Sequence, residues 1–173
     1  MNDERPATGR GWIAEVLDQY EGPLTRYAAR LTLNVESARD VVQETFLRLC
    51  GEDPTKVNGN LPQWLFTVCR NRALDVRRKE GRMEAVTTGQ AEVRAASEAD
   101  PAAVAEHREG AAGAMRVLST LPEKQQEVIR LRFQNGLSYK QIAAITTLSV
   151  SNVGFLIHTA IRTLREQLAS RRL

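Results

Sequence analysis

Two carboxylates, Asp40 and Glu44, lie four residues apart with Gln43 between them, and this spacing puts all three on one face of a helix. A carboxylate pair of this kind can supply a general acid and a general base. Such chemistry also needs a converging histidine, metal cluster or phosphate-binding loop, and His107 and His158 each stand alone in the sequence. We therefore do not predict an enzyme. Two interpretations of this face stay open: an ordinary solvated helix surface, or a docking face for another protein.

The segment 61–78 carries residue types that suit nucleic acid better than catalysis. Trp64 and Phe66 have ring faces on which unpaired bases can stack, at about 1–3 kcal/mol per base. Basic side chains neutralise phosphates and make binding dependent on salt. The alternative is that Trp64 belongs to the core and that the basic residues form a solvated face. These basic residues are Arg70, Arg72, Arg77, Arg78 and Lys79.

Charge is strongly patterned along a chain of 173 residues whose formal net charge is only +3. Residues 61–82 hold 6 basic and 2 acidic residues, and residues 122–173 hold 8 and 3. Residues 83–110, which lie between these blocks, hold 2 basic and 6 acidic residues. Two basic blocks separated by an acidic stretch predict two surfaces that face polyanions.

The hydrophobic periodicity predicts helices and no convincing strand, so the expected fold class is all-α. One apolar stripe precedes Gly22-Pro23 and another follows it, and Asn34 is the predicted N-cap of the next helix. Residues 51–60 form a predicted loop because of their Gly, Pro, Asp and Asn content, and a helix follows over about 61–78. We expect two small helical domains, 10–82 and 101–173, joined by a flexible acidic linker at 83–100.

The second half of the chain has the spacing of a helix-turn-helix. After a helix that starts at Asp100-Pro101, another runs from about Glu123 and stops at Asn135-Gly136, where glycine tolerates the left-handed conformation. Ser138 caps a short helix and Ser149 caps the last one. The last helix of such a motif enters the major groove of DNA. The alternative is a helical bundle that binds only protein.

Composition excludes several other classes of protein. The hydrophobic fraction of 42% is typical of a globular chain. Cys50 and Cys69 are too few and too widely spaced for a disulfide framework or a metal site, so we predict reduced, buried cysteines. No run of about 18 apolar residues occurs, and residues 1–10 do not have the pattern of a signal peptide. We expect a cytoplasmic protein with no membrane insertion, no cofactor and no metal site.

Four segments carry a resemblance to a known family. In their order and spacing they resemble the bacterial RNA polymerase sigma factors of the extracytoplasmic-function type, group four of the sigma-70 family. The resemblance covers roughly residues 12–82 and 101–168. It implies a non-catalytic subunit that binds core RNA polymerase, directs it to specific promoters and assists promoter melting. A stand-alone helix-turn-helix regulator that never joins polymerase is the alternative. The four segments are ARDVVQETFLRL (38–49), WLFTVCRNRALDVRRK (64–79), LSTLPEKQQEVIRLRF (118–133) and GLSYKQIAAI (136–145).

The resemblance also implies partners and site residues. The first domain, sigma-two, would dock on the clamp helices of the polymerase β′ subunit and open the promoter at the minus-ten element. The second, sigma-four, would bind the β flap and read the minus-thirty-five element, and an anti-sigma factor is a further expected partner. The implied polymerase-binding residues are Asp40, Gln43, Glu44 and Arg48. The implied minus-ten residues are Lys56, Asn58, Asn60, Trp64, Arg70, Asn71, Arg72, Arg77 and Arg78. The implied minus-thirty-five residues are Lys140, Ser149, Ser151, Asn152, Phe155 and Arg162.

The last helix departs from the family pattern, which typically has Lys or Arg near positions 154, 156, 159 and 161. This chain has Gly154, Leu156, Thr159 and Ile161 there, and Phe155 adds another apolar side chain. Three hypotheses stay open for these apolar residues: they contact thymine methyls, they contact a protein partner, or they pack into the domain's own core. A glycine inside a helix costs about 1 kcal/mol relative to alanine, so Gly154 predicts a close approach by another group.

The last helix has no basic residue before Arg162. The charge for polyanion binding by the second domain is then expected from Arg130, Arg132, Lys140, Arg162 and Arg165. The expected core positions are Val150, Val153, Ile157, Ala160, Leu164 and Leu168.

Overall fold

The structure, a computed structural model, describes residues 9–87, 113 and 115–170. Within these residues the regular elements are all helical and no strand occurs, which confirms the predicted all-α class. The chain divides into two compact units, Met1–Ser97 and Glu98–Leu173. The predicted helix start at Asp100-Pro101 and most of the predicted linker lie outside the described residues.

The described part of the first unit, residues 9–87, contains four α-helices. They are α1 (Gly9–Thr32), α2 (Val35–Cys50), the short α3 (Pro54–Val57) and α4 (Leu61–Thr87), with a 3-10 turn over Asn58–Asn60. The three long helices α1, α2 and α4 pack against one another in pairs. Their shared core contains the fully buried side chains of Leu24, Val41, Leu49, Leu65 and Phe66. Burial of such side chains is the main favourable term that holds α4 in place.

Helix α1 continues through Pro23, although the sequence suggests two apolar stripes on either side of Gly22-Pro23. Proline removes one backbone donor inside a helix, and that loss must be offset by packing. The residues just after Pro23 supply this packing, because Leu24 and Ala28 are fully buried and Tyr27 is 5% exposed.

The predicted cap of α2 is confirmed. The side-chain oxygen Oδ1 of Asn34 accepts from the backbone N–H of Glu36 at 2.8 Å and of Ser37 at 3.3 Å. These bonds satisfy two backbone donors that the first turn of a helix leaves without partners.

The predicted loop at 51–60 is only partly correct, because it contains α3 and the 3-10 turn. Asp53 caps α3 by accepting from the backbone N–H of Thr55 at 2.9 Å and from its hydroxyl at 2.7 Å, and Pro54 occupies the first turn. The same two hydrogen bonds stabilise the carboxylate and lower the pKa of Asp53. The cap at Asp53 and the proline after it therefore explain why a stretch with the composition of a loop contains a short helix.

Helix α4 is also longer than predicted, since it runs past residue 78 to Thr87 and into the stretch expected to be a linker. Residues 79–83 include lysine, glutamate, arginine and methionine, all of which favour helices even without an apolar stripe. The Ser37 hydroxyl donates to the Glu80 carboxylate at 2.6 Å and ties this end of α4 to the start of α2.

The second unit contains the helix-turn-helix. Residues 115–119 are helical, followed by α5 (Glu123–Ile129) with a π-type turn over Arg130–Gln134, then α6 (Tyr139–Thr146) and α7 (Val150–Ser170). The predicted stop is confirmed because Gly136 has a φ of 67°. The predicted cap at Ser138 is confirmed as a capping box with Gln141. The cap at Ser149 is confirmed too, since its Oγ accepts from the backbone N–H of Asn152 at 3.1 Å.

Among the described helices, none is by itself long and apolar enough to cross a membrane, although α6 and α7 together, bent by 104°, meet that criterion by length and composition.

Candidate functional site

The outward face of α2 presents the predicted docking residues. Asp40, Gln43 and Arg48 are exposed on this face, whereas Glu44 is only partly exposed. The apolar residues of the same helix point inward, with Val41, Val42 and Thr45 all buried. The exposed face of α2 was therefore predicted correctly from the sequence, except that Glu44 is only partly exposed.

Glu44 links α2 to the basic helix α4. Its Oε1 lies 3.1 Å from Nη2 of Arg48, and its Oε2 lies 2.5 Å from Nε of Arg72. The Arg72 Nε is enclosed and its contact with Glu44 lacks hydrogen-bond alignment, so the attraction is between charges. The structure thus brings a predicted polymerase-binding residue together with a predicted minus-ten residue, which their separation in the sequence did not indicate.

Replacing Glu44 with glutamine is expected to lower the free energy of unfolding of the first unit by about 1 kcal/mol, because Arg72 keeps its charge and loses its counter-charge. Urea denaturation followed by circular dichroism measures this loss. The matched control is Asp40→Asn, which neutralises an exposed carboxylate on the same helix. Equal losses in the two variants would show that the Glu44–Arg72 pair contributes nothing.

Beside this face lies an apolar groove between α1 and α2 that the sequence did not reveal. Its volume is about 780 Å³. Leu47 is 66% exposed and Leu17 is 38% exposed at this groove, which gives α2 an apolar surface next to Gln43. The only signal in the sequence was Leu47 itself, which falls on the polar side of the α2 pattern. The apolar lining is formed by Ile13, Leu17, Val42, Phe46, Leu47 and Cys50.

The predicted minus-ten residues divide into exposed and half-buried groups. Lys56, Asn58 and Asn60 are exposed on α3 and the following 3-10 turn. On α4, Asn71 and Arg78 are exposed, and Arg78 forms an ion pair with Asp75. The half-buried members are Trp64, Arg70, Arg72 and Arg77.

The prediction that Phe66 offers a ring face to bases is wrong. Its side chain is 1% exposed, and its ring meets the ring of Tyr27 edge-on with centroids 5.3 Å apart. Phe66 immediately follows Leu65 on the buried side of α4, where it packs in the core. Trp64 keeps a partly exposed ring, so any stacking by this helix depends on Trp64 and not on Phe66.

In the second unit, all six predicted minus-thirty-five residues are exposed: Lys140, Ser149, Ser151, Asn152, Phe155 and Arg162. The expected core of α7 is only partly correct. Val153, Ile157 and Ala160 are buried, whereas Val150 is 45% exposed because it lies at the first turn of the helix. Leu156 and Ile161 are half-buried, so the hypothesis of packing in the domain's own core applies to them in part and does not apply to Phe155.

The group nearest to Gly154 is the ring of Tyr139, at ordinary contact distance, so the predicted close approach that would require glycine is not confirmed. A β-carbon at Gly154 would lie 3.6 Å from Cε2 of that ring, so alanine would fit and a longer side chain would meet the ring. The guanidinium of Arg132 lies on the same ring, 5.5 Å from its centroid, and its Nη1 donates to the Leu137 carbonyl at 3.0 Å. Tyr139 thereby positions one arginine of the second basic block.

Arg130 does not belong to a phosphate-binding surface, contrary to the expectation from charge alone. Its side chain is 8% exposed, and its Nη1 donates to the Gln126 side chain at 3.0 Å. A buried, hydrogen-bonded guanidinium stabilises the helix-turn-helix and does not reach DNA. Among the described residues, no group of three His, Cys, Asp or Glu side chains could hold a metal ion.

Each of the two units matches a known protein family. The sigma-70 region 2 family matches residues 16–83, and the sigma-70 region 4 family matches residues 113–164. The sigma factor SigL of Mycobacterium tuberculosis is 34% identical over 151 residues, covering 86% of this chain and 84% of that protein. SigE of Mycolicibacterium smegmatis is 30% identical over 157 residues, and the match spans 61% of its length.

A solved structure also has the same fold. The sigma factor RpoE of Bartonella quintana, in complex with the anti-sigma factor NepR, matches with a TM-score of 0.67 at 24% identity. The match covers 90% of this chain and 96% of RpoE. The chain therefore belongs to the extracytoplasmic-function sigma factors, which direct RNA polymerase to promoters, and it is not a stand-alone regulator.

Proposed function

We propose that this sigma factor docks on core RNA polymerase through the outward face of α2 and holds promoter DNA at two separate surfaces. The first DNA surface comprises α3, the 3-10 turn and α4, and it binds the minus-ten element. The second comprises α6 and the start of α7, and it reads the minus-thirty-five element. The chain itself performs no covalent chemistry, since promoter opening takes its energy from binding and unstacking.

The observation that carries the proposal for the first unit is that its exposed residues form two groups of different chemistry. Asp40, Gln43 and Leu47 present mixed polar and apolar atoms, which suit a protein partner. Lys56, Asn71 and Arg78 present donors and positive charge, which suit phosphates and unpaired bases. The pair Glu44–Arg72 supports a role in which docking and DNA binding belong to one rigid unit.

The domain boundaries are part of this proposal. Residues 10–82 form the polymerase and minus-ten domain, 101–173 form the minus-thirty-five domain, and 83–100 join them. The family matches at 16–83 and 113–164 support these boundaries. The helical continuation of α4 to Thr87 extends the first domain slightly beyond the proposed end.

An anti-sigma factor is the proposed regulatory partner. RpoE, whose fold this chain shares, was solved with an anti-sigma factor bound. In this chain the exposed Leu17 and Leu47 at the groove between α1 and α2 offer an apolar contact next to the proposed polymerase face. A partner bound there would compete with polymerase for the same surface of the first unit.

Charge reversal of Asp40 tests the docking face. Asp40→Lys is expected to weaken binding of the full-length protein to core RNA polymerase by about tenfold or more, because like charges across an interface cost several kcal/mol. Binding is measured by fluorescence anisotropy of the labelled chain, and initiation is measured on a library of genomic promoter fragments.

The matched control is Asp18→Lys, which reverses an exposed charge on α1 outside the groove. It should bind polymerase like the unmodified chain. If the unmodified chain neither binds core polymerase nor initiates from any fragment, the proposed function is wrong. If it does both and Asp40→Lys changes neither, the docking face alone is wrong.

A further inference from the structure

We propose that Phe155 is a specificity-determining residue that reads the 5-methyl group of thymine in the minus-thirty-five element, an inference that rests on the proposed role of α7 in DNA binding. Thymine is distinguished in the major groove by this methyl group, and apolar side chains recognise it by contact. Helix α7 has no basic residue before Arg162, so its recognition of a base depends on uncharged side chains such as this ring.

The position of Phe155 on α7 shows that its ring is available to a partner. The side chain is 66% exposed, while Val153 and Ile157 on either side of it are 0% and 2% exposed. Leaving a phenylalanine exposed forgoes about 1.5–3 kcal/mol of burial, and its neighbours show that α7 packs its core without this ring.

The surroundings of Phe155 favour a DNA groove over a protein partner. Ser151 and Asn152 precede it by one turn, and His158 and Arg162 follow it on the same exposed face. A protein-binding surface is expected to be a contiguous apolar patch, whereas this ring lies among hydrogen-bonding and basic side chains. The small polar side chains before the ring can hydrogen-bond to base edges, and the cation after it can bind a phosphate.

Charge around the ring is complementary to DNA. Arg162 lies about 10 Å further along the helix, which is the rise of two turns. Lys140 is exposed on α6, and Arg132 is held against the Tyr139 ring next to Gly154. The second unit therefore has cations on α6, on α7 and beside the Tyr139 ring that can hold the sugar-phosphate backbone.

The residue types of this reading surface select A·T over G·C pairs. Guanine is read mainly by arginine or lysine on its O6 and N7 atoms, and no such side chain occurs on α7 before Arg162. Asn152 has the amide that pairs with adenine, and Phe155 has the apolar surface that contacts the thymine methyl. An A·T-rich recognition sequence follows from these two side chains acting on neighbouring base pairs.

The test uses core RNA polymerase carrying the full chain and a duplex pool with a randomised upstream element. After selection of the preferred sequence, each thymine in it is replaced by uracil, which lacks only the methyl group. The unmodified protein is expected to lose about fourfold in affinity at one or more of these positions, and Phe155→Ala should bind thymine and uracil equally there. Phe155→Leu, which keeps an apolar side chain, should retain part of the preference.

The control is Phe133→Ala, which removes an aromatic ring of similar exposure, 63%, that lies outside α7. This variant should discriminate thymine from uracil like the unmodified chain, and thermal melting should show both alanine variants folded. Equal affinity of the unmodified protein for thymine and uracil at every position would overturn the inference while leaving the sigma activity intact. Unchanged discrimination in Phe155→Ala, with loss of a protein partner instead, would also overturn it. Absence of any promoter-dependent binding would be a failure of the proposed function itself.

Discussion

Replacing Phe66 with alanine is expected to lower the free energy of unfolding of the first unit by about 3–5 kcal/mol. The ring is 1% exposed, so its removal leaves a cavity between α4 and the helices packed on it. The edge-on contact with Tyr27, at 5.3 Å between centroids, is lost as well. A loss of this size is a large fraction of the stability of a small domain. Urea denaturation of the full chain, followed by circular dichroism, provides the measurement.

The function should fail together with the fold in this variant. Arg72 and the other basic side chains of α4 keep their positions only while α4 is packed on α1 and α2. Phe133→Ala serves as control, because its ring is 63% exposed and its removal should change the stability by no more than about 0.5 kcal/mol. A loss below about 1 kcal/mol for Phe66→Ala, combined with weaker binding of single-stranded DNA, would instead restore Phe66 as a base-stacking residue.

The second large effect concerns the two cysteines. Cys50 is exposed, and Cys69 is fully buried on α4 with its Sγ 3.9 Å from the Leu24 carbonyl. Burial raises the pKa of the Cys69 thiol to about 12 from 9.0. Since the thiolate is the reactive form and the buried sulfur is also shielded from the reagent, Cys69 should react with a thiol reagent at least about 100-fold more slowly than the exposed Cys50 near neutral pH. Mass spectrometry after timed alkylation measures the two rates in the same molecule.

Unfolding provides the internal control for this prediction. In high urea both thiols should react at similar rates, because the protein no longer shields Cys69. Rapid alkylation of Cys69 in the folded chain would show that α4 does not pack on α1 as described. The prediction that both cysteines are buried is wrong for Cys50, which is exposed and lines the groove between α1 and α2.

The raised pKa of Cys69 also makes the stability of the first unit depend on pH. Because the folded state holds the thiol proton more tightly than the unfolded state, the stabilisation is complete below about pH 9 and is lost as the pH rises towards 12. The full loss amounts to about 4 kcal/mol. Cys69→Ala removes this contribution, so its stability should fall less steeply at alkaline pH. Some alkaline dependence should persist, because burial also raises the pKa of Tyr20 in the same direction.

Local chemistry explains why much of the fold could be predicted from the sequence. The caps at Asn34, Ser138 and Ser149 depend on a side chain and backbone groups two or three residues away, so a short stretch determines them. The stop at Gly136 likewise depends on one residue that tolerates a positive φ. The same locality explains why the family resemblance, which rests on four short segments, identified the protein correctly.

Predictions that needed a distant partner were less accurate. Phe66 and Arg130 were predicted from residue type as binding groups, and both are buried. Hydrophobic periodicity identifies one side of a helix, but whether an aromatic or an arginine near its edge is covered depends on the helices packed against it. The helical extension of α4 to Thr87 was not predicted because this stretch has no apolar stripe. Helix-favouring residue types and a hydrogen bond from Ser37 stabilise it instead.

The sequence by itself determined the helical class, the helix-turn-helix, the two basic blocks and the family, because these are properties of short stretches and of their order. Only the tertiary structure decided that Glu44 pairs with Arg72, that Leu47 borders a groove, and that the ring of Tyr139 lies next to Gly154. Only the tertiary structure also showed that Phe155 stays exposed while Leu156 and Ile161 are half-buried. Each of these outcomes depends on the packing of side chains from different helices, and the distances between those side chains exist only in the folded chain.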